Sequence, residues 1–70
     1  MKNENIEKIK VYVKDINSCI NCILDDLDEM DDSTDVEECE DLLFSIEAYI
    51  DSIRRYADDA RFYARQTVFE

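Results

Sequence analysis

The chain contains no glycine, no proline, no histidine and no tryptophan. Without glycine there is no low-cost route to positive φ, and without proline nothing imposes a break on the backbone. This favours a few long elements joined by a turn built from Asp, Ser and Thr. The lack of histidine removes the usual neutral-pH proton carrier and the commonest metal ligand. No glycine-rich phosphate loop and no nucleophile–base pairing is present, so a non-enzymatic protein with no cofactor is expected. Basic residues are scarce: eight Lys and Arg stand against nineteen Asp and Glu, for a net charge of −11. No apolar run is long enough to span a membrane.

What is present is a helical heptad, written twice. The first arm places Ile6, Ile9, Val13, Ile16, Ile20, Ile23, Leu27 and Met30 at alternating spacings of three and four. This is the a/d pattern of a coiled-coil seam. The second arm repeats it with Val36, Cys39, Leu43, Ile46, Ile50, Ile53, Ala57, Ala60, Ala64 and Thr67. Between them lies the convincing turn, Asp31-Asp32-Ser33-Thr34. The sequence therefore predicts one all-α domain over 1–70, an antiparallel two-helix hairpin. Its helices should cover about 4–31 and about 35–68, with a turn at about 32–34. Asn3 is the expected cap of the first helix. Thr34 with Glu37 matches a capping box for the second, with Ser33 as its competitor. Folding back at this turn pairs Met30 with Val36, Ile23 with Leu43, Ile16 with Ile50 and Val13 with Ile53. The second arm should overhang the first from about residue 62.

A second apolar row flanks the a/d seam at the g positions. It comprises Tyr12 and Cys19 on the first arm and Leu42, Tyr49, Tyr56 and Tyr63 on the second. In an antiparallel hairpin g lies beside g, so Tyr12 is expected near Tyr56. A two-helix seam is a small core for 70 residues, and unburied rings invite a partner. The Tyr-rich row is accordingly the expected interface of a homodimer, a four-helix bundle.

The chemistry-bearing patterns are few. Cys19 and Cys22 at i, i+3 lack the further ligands that zinc needs. Reading Asp26 as the start of a calcium loop places Asp28, Asp32, Thr34 and Glu37 correctly, but Met30 and Asp31 occupy positions that need a ligand and a glycine. No metal site is expected. With three cysteines and a polar N-terminus that lacks an apolar signal core, reduced thiols and a cytoplasmic location are expected. Lys8, Lys10, Lys14, Arg54, Arg55, Arg61 and Arg65 gather at the open end of the hairpin. The acids among them and the overall charge argue against direct nucleic-acid binding, and also against an anionic membrane.

The dominant feature is the acidic run around the turn. Asp25, Asp26, Asp28, Glu29, Asp31, Asp32, Asp35, Glu37, Glu38, Glu40 and Asp41 put eleven acids in seventeen residues. Residues 25–53 carry −13 without a base, whereas 1–24 and 54–70 carry +1 each. Such crowding predicts carboxyl pKa values raised by mutual repulsion. Stacked at about 1.5 Å per residue, the run presents one charge per ~1.4 Å, against one per ~1.7 Å of duplex DNA axis. Phe44 lies beside it, off the seam, as an aromatic anchor would. In size and charge, though in no motif, the chain resembles small phage and mobile-element inhibitors that imitate nucleic acid. The resemblance implies a protein-binding, anti-CRISPR-like inhibitor, acting in the host cytoplasm if phage-encoded. Its tip and Phe44 would occupy the basic groove of a nucleic-acid-binding enzyme. The alternatives are a structural or adaptor bundle and an antitoxin-like partner.

Overall fold

The structure, a computed structural model, describes residues 3–68 of the chain and side chains from residue 4 to residue 66. Helix α1 runs Asn3–Asp28 and helix α2 runs Val36–Val68. They lie side by side in a rod whose Cα atoms span 55 × 14 × 10 Å. The pairing is antiparallel, since Lys8 and Tyr12 near the start of α1 meet Tyr63 near the end of α2. The expected cap from the Asn3 side chain and the seam contact of the Thr67 side chain lie outside the described residues.

The connection, residues 29–35, is longer than the two to four residues expected, and α1 ends three residues early. Asp31 is the reason. Its Oδ1 accepts the Ser33 amide at 2.8 Å and the Ser33 hydroxyl at 2.6 Å. Its own amide donates to Thr34 Oγ1 at 2.9 Å, and the Thr34 amide returns to the Asp31 carbonyl at 3.1 Å. This local network competes with helix continuation, as Asp, Ser and Thr side chains do. The last turn of α1 tightens to i→i+3 bonds, from Glu29 and Met30 to the carbonyls of Asp26 and Leu27. Thr34 is thus occupied in the turn and does not cap α2. Asp35 does so instead, its Oδ1 accepting the Glu38 amide at 2.8 Å, one residue later than the capping box predicted.

The two helices face each other through a stripe different from the a/d seam. On α1 the more enclosed side chains include Asn5, Ile9, Tyr12, Ile16, Cys19, Ile23 and Asp26. On α2 they include Cys39, Leu42, Ile46, Tyr49, Ile53, Tyr56, Ala60 and Tyr63. These are the d and g rows, still spaced three and four. Meanwhile Val13, Ile20, Leu27, Leu43 and Ile50 remain 42–53% exposed. At about 100° per residue, each helix is turned roughly 60° from the a/d expectation. The physical reason lies on α2. Toward the open end its a row is Ala57 and Ala64, whereas its g row is Tyr49, Tyr56 and Tyr63. Each tyrosine offers about 150–250 Å² of ring and stem to cover. Facing g inward gains that area, and the aliphatic a row of α1 is left outside.

The register shifts with the longer turn. Tyr12 contacts both Tyr56, at 6.2 Å and 34°, and Tyr63, at 6.0 Å and 20°. These two rings bracket Ala60, whose small side chain leaves room between them. The paired region therefore extends to Tyr63, and α2 does not overhang from residue 62. No hydrophobic side chain among the described residues is fully buried, and the most enclosed residue is Asn5, 6% exposed. The hairpin has a seam but no closed core.

Candidate functional site

The turn collects the acidic residues at one end of the rod. Asp25, Asp26 and Asp28 come from the last turn of α1, and Glu29, Asp31, Asp32 and Asp35 from the connection. Glu37, Glu38, Glu40 and Asp41 come from the first turns of α2. Ten of the eleven are exposed, and Asp26 alone is half-buried. Phe44, 74% exposed, stands beside them on α2. The tip is thus a solvated anionic surface with one aromatic ring at its edge.

Its carboxylates differ in their work. Asp31 and Asp35 each hold backbone amides, so they build the turn as well as charge it. The hydroxyl and amide of Ser33, with help from Thr34, hold the Asp31 carboxyl below its ordinary pKa. For this residue the direction is opposite to the rise expected from charge crowding: hydrogen bonds to the ionised form lower it and outweigh the desolvation that opposes them. Glu37 and Glu38 lie in the first turn of α2, where the helix dipole favours acids. At the end of α1 the dipole disfavours them, and no base sits in its last turn. Basic residues pair elsewhere: Lys10 with Glu7 at 3.6 Å and Arg61 with Asp58 at 3.8 Å, both at the open end.

Asp26 was legible as an acid but not as a seam residue. It occupies the g row of α1, and its Oδ2 is shielded from solvent with no hydrogen-bond partner. Tyr49 faces it across the helices. The hydrogen bond that Tyr49 shares with Cys22 is the main cause that raises its pKa, with burial and the Asp26 charge adding to it. A polar group, Cys22, Asp26, Ser45 and Tyr49, therefore interrupts the apolar seam just below the tip. The signal in the sequence was the polar content of the α1 g row, where Asn5 and Asp26 flank Tyr12 and Cys19.

The six residues expected at a dimer interface, Tyr12, Cys19, Leu42, Tyr49, Tyr56 and Tyr63, are half-buried and lie along the contact between α1 and α2. Tyr12 is near Tyr56, as g beside g requires. The rings, however, close the hairpin on itself and do not form an outer face. Burial, and next to it the neighbouring Tyr63, raises the Tyr12 pKa. At the open end Lys8 Nζ sits 4.7 Å above the Tyr63 ring, and Phe62 meets that ring edge-on at 5.4 Å. A shallow groove of about 300 Å³ lies here, lined by Glu7, Lys8, Val11, Tyr12 and Tyr63.

All three thiols are free. Among the described residues no group of three His, Cys, Asp or Glu side chains is arranged to hold a metal ion. No described helix is long and apolar enough to cross a membrane. Compared with known proteins, the chain matches no family model, no curated protein and no solved structure.

Proposed function

We propose that the chain is a non-enzymatic, homodimeric protein-binding inhibitor. Its acidic tip would occupy the basic groove with which another protein, such as a defence nuclease, holds nucleic acid. One observation carries this reading: ten exposed carboxylates crowd one end of a narrow rod, and residues 25–53 contain no base to neutralise them. A surface of that density attracts a cationic groove, accelerates encounter and makes binding salt-sensitive. Phe44 at the margin supplies the apolar anchor that charge alone lacks.

The test compares the wild type with a tip variant, Asp28→Asn, Asp32→Asn, Glu37→Gln and Asp41→Asn. None of these four caps a helix or holds the turn, so the hairpin is retained. Each protein is immobilised and exposed to a bacterial lysate at about 50 and 200 mM salt, a range over which multi-phosphate contacts weaken sharply. Wild type should retain a basic nucleic-acid-binding protein that duplex DNA displaces, and the variant should lose it. Retention by both proteins with equal salt dependence would overturn the reading. The exposed aliphatic row on α1 and α2 favours the second reading, an adaptor that binds partners through its apolar side.

A further inference from the structure

Resting on the homodimer reading above, we propose that the dimer forms through the a row left outside the hairpin and not through the tyrosines. A second copy of the chain would pack on it antiparallel, about a two-fold axis through Ile20 and Ile50. The face is continuous. In antiparallel helices equivalent heptad rows lie on the same side, so Val13, Ile20 and Leu27 of α1 stand beside Leu43 and Ile50 of α2, all 42–53% exposed. The corresponding row on the opposite side is polar, with Asp15, Ser45, Ser52 and Asp59. From Val13 to Leu27, at ~1.5 Å per residue and ~10 Å per helix, the apolar face measures roughly 20 by 20 Å. Its projected area of about 400 Å² is half the ~800 Å² that each partner buries in a stable complex, and the rows bordering it widen the contact.

The occupant is identified by charge. The e row of α2 borders this face and reads Glu40, Glu47, Arg54, Arg61, two acids followed by two bases at seven-residue spacing, all exposed. Such a row is complementary to its own reverse. An antiparallel copy centred on Ile50 sets Glu47 against Arg54 and Glu40 against Arg61. It also sets Leu43 over the small Ala57. Arg61 already meets Asp58 at 3.8 Å within its own helix, and a guanidinium has donors for both. On α1 the same operation, centred on Ile20, sets Val13 against Leu27. One axis serves both helices, because Cys22 lies against Tyr49 and this puts Ile20 within about two residues, or ~3 Å, of the level of Ile50. A parallel copy, whose two-fold runs along the rod, would set this row against the e row of α1, where Glu47 and Arg54 find Leu24 and Asn17 and Arg61 finds Lys10, base on base.

Sedimentation equilibrium and light scattering decide the matter, with circular dichroism as the check on folding. Wild type should be a dimer of the 8.3 kDa chain. Ile50→Asp should be a helical monomer. Glu47→Arg and Arg54→Glu should each weaken the dimer about tenfold, since the two-fold repeats the like-charge contact. The exchange Glu47→Arg with Arg54→Glu should restore affinity to within about threefold, and this arm stands even if Ile50→Asp fails to fold. A wild type monomeric at millimolar concentration overturns the dimer itself. A dimer untouched by Ile50→Asp overturns this face while leaving the dimer standing. An exchange no tighter than the single variants overturns the antiparallel axis. The tip variant should dimerise normally, so failure of the inhibitor reading shows separately.

Discussion

Tyr63→Ala and Leu43→Ala discriminate between the two ways of facing the helices. If the a/d rows formed the seam, Leu43 would pack against Ile23, and Tyr63 would lie on an overhang with little to touch. Leu43→Ala would then cost the 2–5 kcal/mol typical of a core leucine, and Tyr63→Ala close to nothing. The structure reverses this order. Tyr63 stacks on Tyr12 at 6.0 Å, meets Phe62 edge-on at 5.4 Å and carries Lys8 at 4.7 Å. The stack is worth about 0.5–1.5 kcal/mol beyond its buried area, and the cation contact about 0.5–1 kcal/mol. With the area of a half-buried ring added, Tyr63→Ala should cost roughly 2–3 kcal/mol. Leu43 keeps 48% of its surface in water, so its truncation should cost about 1 kcal/mol in the isolated hairpin. Alanine favours helix over both residues, which does not alter the order. Thermal and urea melts followed by far-UV circular dichroism, at dilutions where the chain is monomeric, measure both. The Tyr63 variant should melt on the order of 10 °C lower, since 1 kcal/mol shifts a domain of this size by about 4–8 °C. A Leu43 variant less stable than the Tyr63 variant in dilute solution would refute the d/g seam.

Three further outcomes are expected. Because Asp31 titrates lower in the folded chain than in the unfolded one, its contribution is present above pH ~4 and fades as the pH falls through its depressed folded value. Asp31→Asn should therefore flatten the acid limb of a melting-temperature profile between pH 7 and 2.5. A profile of unchanged shape would refute the turn assignment. Asp35→Ala should cost about 1 kcal/mol through loss of the α2 cap, and Asp35→Asn should cost far less; urea midpoints give both values. Asp26→Leu, which removes the carboxylate with the shielded and unpartnered oxygen, should stabilise the hairpin by about 1 kcal/mol, read from the same melts.

The heptads made the helical hairpin legible, because spacings of three and four over eight layers admit no strand. The acidic tip was equally plain, since a turn in the middle of a charge run must gather its charges. The choice of seam was not. The a/d and d/g rows of α1 obey the same spacing, and the first is wholly aliphatic, so pattern alone selects it. The deciding quantity was area on the other helix, tyrosine against alanine, summed over layers at the open end. Likewise a Thr-x-x-Glu motif was present for capping, but the backbone amide of Asp31 claimed the threonine oxygen first. Local hydrogen-bond competition of this kind depends on the path of the turn, which spacing does not encode.

The charge that suits the tip to a basic groove also selects how two copies meet. In a parallel dimer two tips, each drawn from a stretch of −13, would stand about one helix diameter apart, ~10 Å, near the ~8 Å screening length at physiological salt. Their repulsion would be weakened by salt but not removed, and it would be summed over many facing carboxylates. Antiparallel packing moves the tips to opposite ends of a rod whose protomers are 55 Å long, many screening lengths apart, and brings the cationic open end of each copy toward the tip of the other. The arrangement has a stoichiometric consequence. Two tips pointing in opposite directions do not fit one groove together, so each dimer should take two target molecules, each through a single tip. Ile50→Asp, which separates the copies, should leave the affinity of each tip nearly unchanged while halving the number of targets held per particle. Calorimetry gives one target per chain in either case, and light scattering of the saturated complex separates the two. A monomeric variant that loses affinity a hundredfold would show instead that one target spans both copies, and that the apolar face belongs to the binding site.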